Sequence, residues 1–132
     1  MIIDIPISVG ELVDKVSILI IKSEKISDKK KLILIHNELF LLQKILKKIS
    51  DKKNEIKNEI SIHLEQLIQV NNKLWTIEDD IRSCERKKIF DKHFIDLARS
   101  VYINNDKRSE IKKEINSKFD SKIIEIKSYE KY

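Results

Sequence analysis

The chain predicts an all-α fold, an antiparallel bundle of about four helices forming one domain over residues 1–132. Three observations carry that expectation. One glycine (Gly10) and one proline (Pro6) are too little punctuation for a sheet or a loop-rich fold. Apolar residues recur at spacings of three and four along most of the length. Helix-start signals stand ahead of three of these stretches and a polar hinge ahead of the other, and the short connections imply antiparallel neighbours.

In chain order, Ser8 with Glu11 three residues later forms a capping box, so the first helix starts there and fades near Lys25. Leu12, Val16, Leu19 and Ile20 make its buried stripe. Ser27 is the expected N-cap of the second helix, where Leu32, Ile35, Leu39, Leu42, Ile45 and Ile49 recur at helical spacing. Phe40, Leu41 and Leu46 widen that face, so more than one neighbour is expected to cover it. Residues 50–54 are a polar hinge. The third helix then runs to about Lys88, and Asp91 caps a fourth that reaches roughly Phe119. Residues 2–7 and 123–127 alternate apolar and polar, which suggests a short two-stranded ribbon joining the termini. Pro6 would place the first strand on an edge.

Composition excludes several classes. The net charge of +5 divides into +2 over residues 1–66 and +3 over residues 67–132, with no basic tail, which makes nucleic acid an unlikely partner. A single cysteine, Cys84, rules out an internal disulfide and a multi-cysteine metal site, and its position off the seam argues against a nucleophile. The start lacks the basic region of a secretory signal, and the longest apolar run, Ile18 to Ile21, is far short of a bilayer span. A cytoplasmic location with no membrane partner is the expectation. His36, His63 and His93 lie scattered on three helices without paired spacing and are expected at the surface.

The informative stretch is Asn71 to Arg86. Ile60, Leu64, Leu67, Asn71, Leu74, Glu78, Ile81 and Glu85 form a heptad seam whose lower part turns polar. Asn72, Trp75, Asp79, Arg82 and Arg86 form a stripe beside it. On the fourth helix, Phe94, Leu97, Ala98 and Val101 lead into Asn104, Asn105 and Arg108 before apolar packing resumes at Ile111. Folding the two helices about a turn near Lys88 brings the interruptions level. Asn72 then faces Asn104 and Asn105, Asn71 lies near Arg108, Trp75 meets Tyr102, Glu78 and Asp79 meet Arg99, and Arg82 meets Asp96. Buried polar groups without partners are costly, so the cluster must be mutually satisfied, wet or waiting for a ligand. All four arginines fall between residues 82 and 108 of a chain with 23 lysines. Their planar fork grips carboxylate or phosphate with two bonds.

The candidate ligand-binding residues are therefore Asn72, Trp75, Glu78, Asp79, Arg82, Arg99, Tyr102, Asn104, Asn105 and Arg108. They suit an anionic small molecule or an acidic group of a partner, without a cofactor. One alternative is an all-α metal-dependent phosphohydrolase, with Mg²⁺ held by Glu11, Asp14, Glu78 and Asp79. The paired acidic elements of such pyrophosphohydrolases are missing, and Glu11 is explained by capping, so the enzyme reading ranks below binding. Another is a structural partner that forms a homodimer through the spare apolar face of the second helix.

The segments SVGELVDKVSIL at Ser8–Leu19, LWTIEDDIR at Leu74–Arg82, FIDLARSVYINNDKRSEIKKEIN at Phe94–Asn116 and KSY at Lys127–Tyr129 resemble a bacterial family of small helical proteins classed as a domain of unknown function. They cover about half of the chain and run through it end to end, which implies a whole member of that family. The resemblance brings no activity, only a loose setting among sugar-transfer and surface-polysaccharide genes. A second uncharacterised helical family is similar in carrying an LWxxEDxxR helix followed by an NxxR helix, which Asn105 and Arg108 match.

Overall fold

The computed structural model describes residues 1–132 and contains four helices: α1 (Val9–Lys25), α2 (Lys29–Ser50), α3 (Asn54–Lys87) and α4 (Lys92–Lys118). The fold is an all-α helical bundle, as the spacing predicted. No strand forms, so the expected ribbon of residues 2–7 and 123–127 is absent. Ile2, Ile3 and Ile5 stand exposed at one end, and Ile124 and Ile126 at the other.

Three of the four helix starts carry a side-chain cap, and α3 begins after Lys53 without one. Ser8 Oγ accepts from Glu11 N at 3.1 Å, but the Glu11 carboxylate does not close the box; it reaches Lys112 on α4 instead. Asp28, not Ser27, caps α2, accepting from Lys31 N at 2.9 Å. A carboxylate there also meets the positive end of the helix dipole. Asp91 caps α4 through Phe94 N at 3.2 Å.

Two helices end in left-handed turns without glycine. Lys88 (φ 56°) ends α3, with Ile89 N donating to Cys84 O and Lys88 N to Glu85 O. Asp120 (φ 47°) repeats the pattern after α4, with Ser121 N on Asn116 O. The one glycine is used for proximity. A Cβ on Gly10 would lie 2.6 Å from the Lys112 carbonyl oxygen and 2.8 Å from Asn116 Oδ1, so α1 and α4 touch backbone to backbone there. Asn116 Oδ1 accepts from Gly10 N at 2.7 Å and covers the open first turn of α1.

Helix α1 packs on all three others, whereas α2 packs on α1 and α3 and does not reach α4. The main core joins Leu12, Val13 and Val16 to Leu46, Leu67 and Ile115. A smaller one holds Ile77, Cys84 and Leu97, so Cys84 is a packed side chain and not an outlying one. The α3 seam corrects the sequence reading at its flank. The expected Ile60, Leu64, Leu67, Asn71, Leu74 and Ile81 are enclosed, Leu64 and Ile81 only in part, but His63, Val70, Ile77 and Cys84 join them as the second row, while Glu85 is exposed and Glu78 stays half-buried. His63 is thereby buried, not at the surface, with Nδ1 2.7 Å from Glu59 O. A carbonyl can only accept, so Nδ1 carries the proton.

Candidate functional site

Between the two cores lies a polar layer centred on Asp14, a fully buried carboxylate on α1. Arg108 of α4 donates Nε to Oδ1 at 2.9 Å and Nη2 to Oδ2 at 2.5 Å. Asn71 of α3 spends both hydrogens of Nδ2 here, on Asp14 Oδ1 at 2.9 Å and on Ser17 Oγ at 2.8 Å. Ser17 Oγ in turn donates to the Asp14 carbonyl at 2.7 Å. Lys112 Nζ stands 3.8 Å from Asp14 Oδ2, and bonds Glu11 at 2.6 Å and Glu125 of the C-terminal segment at 3.1 Å. Three helices are thus pinned by one buried carboxylate, and no buried side-chain polar atom lacks a partner.

The electrostatics follow. The bond to Asp14 holds the Arg108 guanidinium further above its usual range, against the opposing cost of burial. Burial pulls the Lys112 ammonium down, but its bonds to Glu11 and Glu125 and the field of Asp14 push it up overall. The same bond lowers the Glu125 carboxyl.

Two clefts open on this layer. The first, about 390 Å³, is floored by Ile18, Ile21 and Leu74 and walled by Asn71, Trp75, Glu78, Asp79 and Arg82. Arg108 and Asn105 close it from α4. The second, about 210 Å³ and entirely polar, shares Asn105 and Arg108 and adds Glu11, Ser109, Lys112, Glu125 and Lys127. The guanidinium of Arg108 therefore stands at the junction of the clefts, and its Nη1 makes no hydrogen bond to protein.

Of the ten residues singled out in the sequence, six line the first cleft: Trp75, Glu78, Asp79, Arg82, Asn105 and Arg108. Four do not. Asn72 is half-buried beside the cleft, its place taken by Asn71. Asn104 is buried and donates Nδ2 to Ser100 O at 2.7 Å. Arg99 and Tyr102 are exposed on another side of α4. The neighbouring Tyr102 hydroxyl raises the pKa of the Arg99 guanidinium, and the Tyr102 ring meets Tyr132 edge-on at 5.0 Å. The reason is periodicity: at 100° per residue, nine residues place Arg99 and Arg108 on opposite sides of one helix. The expected bridge from Glu78 to Arg99 is accordingly replaced by an intrahelical one from Glu78 to Arg82, and Asp96 pairs with Lys92 in place of Arg82.

The alternative magnesium set does not assemble. Asp14 is occupied by Arg108 and Asn71, Glu11 by Lys112 and Glu78 by Arg82, and no three acidic, histidine or cysteine side chains stand close enough to hold a metal. Lys112, Asn116 and Glu125 belong to the site but not to the sequence candidates, and Asp14, a candidate only in the magnesium set, is its centre. The signal available was the (i, i+4) spacing of Arg108, Lys112 and Asn116, which puts all three on one face.

No protein-family model, curated protein or solved structure matches the chain.

Proposed function

We propose that the protein is a cytoplasmic binding or accessory module. Its cleft between α1, α3 and α4 takes an anionic small molecule or an acidic group of a partner, in the sugar-transfer or surface-polysaccharide setting that the family resemblance suggests. The observation that supports this is Arg108. Its Nε and Nη2 are fixed on buried Asp14, while Nη1 is unbonded at the meeting point of two clefts. A guanidinium held this way is already oriented, so little entropy is lost when a second anion arrives. Arg82 supplies a second cation at the exposed edge, Asn71 and Asn105 orient the ligand, and Trp75 with Ile18 and Ile21 offers its body an apolar wall.

A second reading is favoured by a different observation. The Asp14 network leaves nothing buried unsatisfied, which is what a purely structural lock of helix register requires. Thermal-shift measurements on phosphate, sulfate, nucleotides and sugar nucleotides separate the two, because a ligand of the folded state raises the melting temperature by mass action. Binding predicts a shift that is lost in Arg82→Ala and Trp75→Ala, neither of which belongs to the lock. A flat panel leaves the lock reading standing.

A further inference from the structure

The positive charge of this chain is not spread evenly, although its two halves look balanced. Helix α2 carries six lysines and one glutamate, a net of +5 that equals the net charge of the whole protein. The remaining 110 residues balance at 21 basic and 21 acidic. Lys47 is held by Asp51 at the end of the helix, but Lys29, Lys30, Lys31, Lys44 and Lys48 enter no ion pair. The same helix is the least buried of the four, with only Ile35 and Leu46 enclosed among its 22 residues.

Its outward face is also apolar. Leu34 is 70% exposed, Ile33 60% and Phe40 58%, with Leu41 and Ile45 close behind. On a 100° wheel these fall into two edges. Ile33 and Phe40 form one, and Leu34, Leu41 and Ile45 form the other. Lys30, Lys44 and Lys48 rise between them, Lys44 Nζ resting 4.3 Å from the Phe40 ring centre. The remaining helix, α4, does not reach α2.

We propose that α2 is a docking face for an anionic lipid bilayer surface, on which the protein lies without crossing it. Charge complementarity selects this occupant. A second copy would set one lysine ridge against another in either orientation, so the face is built against a symmetric dimer. A dry protein interface is also disfavoured, since interface cores are depleted in lysine, whose compact ammonium is strongly hydrated. At a bilayer surface the ammonium groups stay wet among the lipid phosphates, while their methylene stems and the two apolar edges lie against the headgroup and acyl boundary. A lysine ridge in the middle of the face sets the depth at headgroup level. No helix is long and apolar enough to cross a membrane, which fits surface contact alone.

The test is co-sedimentation of the full-length protein with phosphatidylglycerol–phosphatidylcholine vesicles and with phosphatidylcholine alone. The expected result is binding to the anionic vesicles that falls steeply with salt and is absent on the neutral ones. Lys30→Glu combined with Lys44→Glu, both exposed and unpaired, should weaken partition more than about tenfold while circular dichroism stays unchanged. Phe40→Ser with Leu34→Ser should lower the binding that persists at high salt. Three outcomes overturn the proposal: no binding at low salt, equal partition on neutral vesicles, or the charge-reversed variant binding as well as wild type. A dimer in light scattering that the Phe40→Ser, Leu34→Ser protein loses would assign the face to a second copy instead. Retention on immobilised polyglutamate without vesicle binding would assign it to an acidic protein.

Discussion

Arg108 Nη2 lies 2.5 Å from Asp14 Oδ2, a pair 94 residues apart in sequence that joins the first helix to the last. One partner is fully buried and the other keeps about a quarter of its side chain in water. Removing one member of such a pair strands the other, whereas replacing both need not. Asp14→Asn should therefore cost about 2–3 kcal/mol, the lower end for a buried pair because Arg108 can turn to solvent. Asp14→Leu with Arg108→Met should recover much of the loss. Urea unfolding of Asp14→Leu alone, Arg108→Met alone and the double gives the coupling, and simple additivity would show the pair contributes nothing.

Gly10→Ala is expected to be far worse than its size suggests. The new methyl would sit 2.6 Å from a backbone oxygen of α4, which cannot swing away as a side chain would. Helices α1 and α4 must separate, at a cost of about 1–3 kcal/mol, seen as a lower denaturation midpoint. An unchanged midpoint would mean that the two helices do not approach this closely.

The C-terminal segment should be acid-sensitive. Lys112 lowers the Glu125 carboxyl, so the link it provides is whole above the usual carboxylate range and is lost as pH falls through the depressed value. A carbon-detected NMR titration should place Glu125 below an ordinary glutamate, and Lys112→Gln should return it to that range. Glu125 titrating normally in the wild type would count against the contact.

Cleft and lock should separate cleanly by mutation. Arg82 and Asp79 are exposed cleft residues outside the Asp14 network, so Arg82→Ala and Asp79→Asn should shift the melting temperature little, within about 0.5 kcal/mol of stability. Any ligand-induced shift should still fall. Arg99→Lys serves as the control, since Arg99 lies on the far side of α4 and should leave both readouts unchanged.

How much of this was legible in the sequence depends on the range of the forces involved. Local signals worked: Ser8 and Asp91 cap where expected, and the polar interruptions of α3 and α4 do meet, with Asn71 near Arg108. What failed was rotation and the third partner. Matching α3 to α4 by level alone cannot say which way a side chain points, so Arg99 and Tyr102 were placed in a cleft they face away from. The heptad was ambiguous in the same sense, because Leu64 and His63 both fit a spacing of three or four from Ile60 and Leu67. The sequence offers Asp14 only as a metal ligand, because nothing local reveals that a carboxylate in an apolar stripe will find an arginine 94 residues later. The charge of α2 does not show in the balance of the N-terminal half, because acidic flanks offset the basic helix there.

The central position of α1 bears on the order in which this protein folds. Its apolar stripe can collapse on α2 and α3 as soon as they exist, but the arginine that neutralises Asp14 and the acceptor for Gly10 N lie on α4. Until α4 docks, a carboxylate sits in a forming core with no cation to meet it, and collapse there is penalised. Pairing α1 with α4 closes a loop of some 94 residues, so the polar layer favours the native register only once α4 is docked.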